Sequence, residues 1–175
     1  MNGKVPVITA TVAFGMGVDK SSVRFVAHWS TPQSVAAYYQ ESGQAGRDGN
    51  RAFARVYHSI RERDSVEFFI DRENKTANSS TEKEERASCT ASFKLMVMYC
   101  ESAICRHALF SVYFGDNIPD CIGMCDMCND ASEVNRRLKV FRSTEKKRPI
   151  TYQDTKEEDY GRLRTSQVIN NKFLK

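Results

Sequence analysis

The sequence predicts an α/β unit followed by a mainly helical, metal-stabilised module, on three observations. Apolar, β-branched runs flank a helix signal within the first sixty residues. A polar stretch, ENKTANSSTEKEE, then interrupts the hydrophobic pattern. Beyond it, three cysteines crowd into a short loop.

Each element has a local reason. VPVITATVAF (Val5 to Phe14), VRFVAHW (Val23 to Trp29) and AFARVYH (Ala52 to His58) read as strands of a buried sheet. Between the last two, Thr31 is the expected N-cap and Pro32 the first helical residue, with SVAAYYQES running to Gly43. Ser59 and Glu62 have capping-box spacing ahead of Val66, Phe69 and Ile70, which share a helical face. The polar stretch reads as a linker ending in a second box, Thr81 with Glu84, and a helix carrying Ala91, Leu95 and Met98 on one face. RHALFSVYF, after Cys105, is a helix stopped by Gly115, where a left-handed backbone suits glycine. Residues 136–175 show no sustained period; a helix near Glu133 to Phe141 is expected, with a mobile remainder. The expected organisation is 1–75, 82–132 and a basic tail over 133–175.

At 175 residues the chain has room for one ordinary domain or two small ones. No run approaches the roughly 18 apolar residues of a membrane helix, and MNGKVPVIT lacks a signal-peptide layout. The expectation is an intracellular chain with no membrane partner. The formal charge of +4 is uneven: residues 136–175 hold 12 Lys/Arg against 5 Asp/Glu, residues 91–135 only 2 against 6. Any electrostatic grip on nucleic acid leans on the tail, whose alternative is a solvated charged linker.

Cys121, Cys125 and Cys128 have C-x3-C-x2-C spacing, and Cys105 precedes them at the start of a helix signal. Four soft thiolates can close a tetrahedral Zn²⁺ shell with no position left for a catalytic water, so the site is expected to be structural. His107 is an alternative fourth ligand, and Cys125 with Cys128 alone would suit a redox pair. Cys89 and Cys100 fall on the preceding helix as core or surface residues.

Two glycine-bearing segments follow apolar runs: FGMGVDK (Phe14 to Lys20) and GQAGRDG (Gly43 to Gly49). Strand-end loops of α/β sheets are where backbone NH groups meet phosphates. Neither is a Walker loop, since G-x4-G-K-[ST] occurs nowhere in the chain.

Taken in order, ATVAFGMGVDK, VRFVAHW and YYQESGQAGRDG resemble motifs V and VI of RecQ-family DNA helicases, and the cysteine pattern resembles the zinc segment behind that motor. The resemblance covers roughly residues 5 to 130, and AHW, RERDSVEFFI and the C-x3-C spacing look most like the type-five branch. It implies a partial RecA-like second lobe of P-loop NTPase fold, followed by a mainly helical four-cysteine zinc-binding domain. By position, Arg47 is then the arginine finger that neutralises charge on the transferred phosphoryl group. Gln40 would orient phosphates, or serve only as a helix-surface residue. Gln44 and Gly46 lie in the same nucleotide-facing loop. Asp19 would sit near the ribose or a motif VI arginine, or cap a turn. Thr11 would hold a DNA phosphate, or be a plain strand threonine. Tyr38 and Tyr39 read as helix packing rather than base stacking. The family usually has G-R-A-G-R-D; Gln44 replaces the first arginine and cannot offset phosphate charge, implying weaker nucleotide coupling.

The resemblance also implies a 3′ to 5′ helicase of the nucleus acting in DNA repair, recombination and replication, using ATP and Mg²⁺ and taking single-stranded and forked DNA of any sequence. The chain holds no Walker A lysine or DExH segment. It is therefore expected to be a fragment that is inactive without the first helicase lobe. The rival expectation is a non-catalytic, zinc-stabilised module that binds DNA or protein.

Overall fold

The computed structural model describes residues 6–11, 20–76, 78–145 and 167–173. Strand β1 (Phe25–His28) leads to helix α1 (Val35–Ser42), strand β2 (Ala52–His58) and helices α2 (Ile60–Lys75) and α3 (Ser80–Glu101). Helices α4 (Arg106–Phe114), α5 (Asp126–Asn129) and α6 (Ala131–Glu145) follow, and β3 (Gln167–Phe173) closes the chain. The sheet order is β1-β2-β3, with β1 parallel and β3 antiparallel to β2.

β1–α1–β2 is the expected crossover: the alternation of AFARVYH buries Ala52, Ala54, Val56 and His58 on the face that α1 covers. The first predicted strand does not form over its described residues. Residues 6–11 are exposed coil, with Val7 74% accessible, and no described strand lies beyond β1 to satisfy their backbone. Residues 12–19, including Asp19 and most of FGMGVDK, lie outside the described residues.

Two of the three expected N-caps shift. Ser34, not Thr31, caps α1, its hydroxyl accepting from the Ala37 amide at 3.1 Å. The Thr31 hydroxyl is buried and hydrogen-bonded to His58 Nδ1 at 2.8 Å, and so is withdrawn from capping. Ser59 caps α2 as expected. The polar stretch is not an extended linker, since α2 and α3 are joined by residues 76–79 alone. Ser79 forms the capping box with Glu82, whose carboxylate reaches back to the Asn78 and Ser79 amides. Thr81 falls inside the first turn of α3, past its N-cap.

Helix α3 joins the two halves. Its buried residues are Phe93, Met96, Tyr99 and Cys100, while Ala91 and Met98 of the expected face are exposed. The face turns because α3 packs on a core shared by α1, β2 and α4: Val35, Tyr38, Ala54, Val56, Met96, Tyr99, Cys100, Leu109 and Phe110. Tyr38, Tyr99 and Phe110 stack mutually with ring centroids 5.2–5.9 Å apart. Gly115 ends α4 at φ 76°. Helix α6 buries Val134, Leu138 and Phe141, and Phe141 lies 5.3 Å from the His58 ring. The tail reading missed β3. Among the described residues no helix is long and apolar enough to cross a membrane.

Candidate functional site: a four-thiol centre and a glycine-turned arginine loop

The thiol centre grows from two helix starts. Cys105 is the N-cap of α4 and Cys125 the N-cap of α5, whose first turn carries Cys128. Cys121 opens the connecting turn, with Met124 N–H donating to its carbonyl at 2.9 Å. The turn requires positive φ at Gly123 (70°) and at Ile122 (45°). The four sulfurs lie within 4.8 Å of one another, and Cys105 and Cys125 are 3.9 Å apart. Ideal Zn–S bonds of about 2.3 Å place tetrahedral sulfurs about 3.8 Å apart, so the group fits a closed four-sulfur shell.

Their electrostatics differ from thiol to thiol. Burial and then the neighbouring Cys125 thiol push Cys121 up to about 11. Burial also opposes ionisation of Cys105, but the amides of Ala108 and His107 and the adjacent thiols outweigh it and hold Cys105 below the ordinary thiol range. A divalent ion would compensate ionisation across the group. His107 stands beside this shell, its Nδ1 3.0 Å from Cys121 Sγ. Behind it, Arg106 is 1% exposed, donates from Nε to Asp126 at 2.9 Å and from Nη1 to the Tyr99 and Ser102 carbonyls, and faces the Tyr99 ring. That buried arginine was invisible in the sequence. Of the remaining cysteines, Cys100 is core and Cys89 exposed.

The second cluster follows α1. Gly46 has φ 71°, and a Cβ there would lie 3.0 Å from the Asn50 carbonyl oxygen and 3.1 Å from Ala52 Cβ. Its amide donates to the Val23 carbonyl at 2.9 Å, tying the loop to the start of β1. Arg47, next in sequence, is exposed, and its Nη2 donates to Gln44 Oε1. Both Asp48 oxygens accept from Arg24 Nη2, which holds the carboxyl down at about 2. Gln40 is exposed on α1, three residues before Gly43. Thr11 is exposed coil. Tyr38 is fully buried, and Tyr39 packs against Phe110 and Phe114.

Residues 1–49 match the helicase conserved C-terminal domain and residues 61–129 the RecQ zinc-binding domain. The chain is 46% identical to ATP-dependent DNA helicase Q5 of Mus musculus over 146 residues, 81% of this chain. The chain belongs to the RecQ family. Other RecQ relatives are ATP-dependent helicase SGS1 of Saccharomyces cerevisiae, 35% identical over 82% of this chain, and ATP-dependent DNA helicase RecQ of Bacillus subtilis, 34% identical over 82%. The matches span 14%, 10% and 24% of those three proteins, so this chain corresponds to a small part of each. RecQ membership assigns the α/β half to a RecA-like helicase lobe and the thiol half to the zinc-binding domain.

Proposed function

We propose that this chain supplies the nucleotide-facing edge and the zinc-braced rear of the second motor lobe in an ATP-dependent 3′ to 5′ DNA helicase, with Arg47 as its arginine finger. One observation carries the reading. Arg47 stands exposed on a glycine-turned loop whose backbone is tied to β1, instead of folding into its own core.

ATP, with Mg²⁺, would lie between this lobe and a first lobe that holds the Walker A lysine and DExH carboxylates. Arg47 would offset charge that develops on the transferred phosphoryl group, an effect worth roughly 10³ to 10⁵ in rate in comparable NTPases. Gln40, Gln44 and Gly46 would face the same phosphates, and Asp19 the ribose or a loop arginine. Thr11 would take a DNA phosphate, which carries no sequence information and suits movement along any strand. Cys105, Cys125, Cys128 and Cys121 would hold Zn²⁺, which braces the fold and takes no part in hydrolysis. Relatives named as DNA helicases support DNA as the substrate; single-stranded and forked DNA, and nuclear work in repair, recombination and replication, belong to the proposal.

The test is reconstitution. The zinc-loaded chain, mixed with a separately expressed RecQ first lobe, is expected to restore DNA-stimulated ATPase, and Arg47→Ala should remove at least 10³ of it with zinc content and circular dichroism unchanged. The chain alone should hydrolyse nothing. DNA binding of steep salt dependence with ATPase indifferent to Arg47 would instead establish a non-catalytic binding module.

A further inference from the structure

The loop that presents Arg47 has little of its own to keep it in place. Every residue from Arg47 to Arg51 is exposed, so no apolar burial fixes that half of the turn. Gly46 and Gly49 take positive φ, which glycine adopts without strain, and the Gly49 amide closes the turn on the Gly46 carbonyl at 2.9 Å. A side-chain tie from this turn to the rest of the chain comes from Arg24.

Arg24, just before β1, reaches that position with most of its donors. Nη2 donates to both Asp48 oxygens, at 2.6 and 2.7 Å, and to the Ser21 carbonyl at 2.9 Å. Nε donates to the Ser22 carbonyl and Nη1 to the Arg51 carbonyl, each at 3.3 Å. The acceptors lie on three strands of chain: the turn before β1, the middle of the arginine loop and its exit into β2. Asp48 Oδ1 also accepts the Asn50 amide at 3.0 Å, which closes the turn around the carboxylate. Backbone bonds continue the tie on either side, from Gly46 N–H to Val23 and from Phe53 N–H to Arg24.

An ion pair with side chains 40% and 26% exposed contributes little to folding stability. Position is a different matter. A displacement of about 1 Å at a reacting centre can cost about 10²-fold in rate. A planar guanidinium can direct three nitrogens at a carboxylate and several carbonyls at once, as Arg24 does, which a lysine point charge cannot.

We propose that Arg24 is a positioning residue of the nucleotide site: by gripping Asp48 and the Ser21, Ser22 and Arg51 carbonyls, it holds the Arg47 turn against the start of β1 and sets where the Arg47 guanidinium meets the γ-phosphate. This rests on Arg47 being the arginine finger. Arg24 touches no reacting atom.

Three measurements test it. In the zinc-loaded full chain alone, Arg24→Ala is expected to speed amide hydrogen exchange at Gly46, Gly49 and Asn50 by tenfold or more, with α3 and α4 amides unchanged. In the same variant the Asp48 carboxyl, followed by NMR titration, should rise from about 2 toward the ordinary 3.8. With the first lobe added, kcat should fall about 10²-fold while KM for ATP moves less than about threefold. Arg24→Lys should recover only a small part of kcat, since it restores charge without the fork. Unchanged loop exchange, or a kcat equal to wild type, would overturn the proposal. Should Arg47→Ala itself leave the ATPase intact, the finger assignment fails, and the exchange and titration results still decide whether Arg24 holds the turn.

Discussion

The thiol centre and the arginine loop solve opposite problems with similar residue types. At the thiol centre the polar groups turn inward: sulfurs face one another, and Arg106 spends its donors on Asp126 and two helix-end carbonyls inside the protein. At the loop the arginines face outward, and the turn is fixed by glycine geometry and a surface clamp. Arg106 is part of what holds the fold, whereas Arg47 is exposed on a tethered loop, where its Nη2 donates to Gln44.

The largest expected effect sharpens that contrast from the inward side. Removing the metal by chelation, or substituting Cys125→Ala, should unfold α4 to α6, because structural zinc in small modules contributes on the order of 10 kcal/mol. Metal stoichiometry and far-ultraviolet circular dichroism measure it. Retention of full helicity in metal-free protein would show that the helical core, not the ion, carries this half.

Next comes Gly46→Ala. Its Cβ would meet backbone at 3.0 Å in a left-handed conformation, so a loss of roughly 1–3 kcal/mol is expected, read in urea unfolding. Loop amides should exchange faster while zinc content stays whole. The smallest effect tests a site remote from both regions: Ser79→Ala removes the α3 capping box and should cost about 1 kcal/mol without altering metal or loop.

Much of this was legible in the sequence where chemistry is local. The alternation of AFARVYH fixes β2, Gly115 stops α4, and the cysteine spacing brings four sulfurs together. The N-caps of α1 and α3 were misread because a hydroxyl's availability depends on distant partners: His58 takes Thr31, and Glu82 favours Ser79. Arg24 and Arg106 were not read at all. Their acceptors are separated in sequence and gather only when the strands and helices pack. β3 escaped for the same reason, since its pairing with β2 spans more than a hundred positions.

The mutual stack of Tyr38, Tyr99 and Phe110 couples these two worlds without any shared ligand. Tyr38 lies on the helix that ends at the arginine loop, and Phe110 on the helix that begins at a cysteine. Loss of metal at the sulfur end is therefore expected to loosen the seat of α1 as well as that of α4.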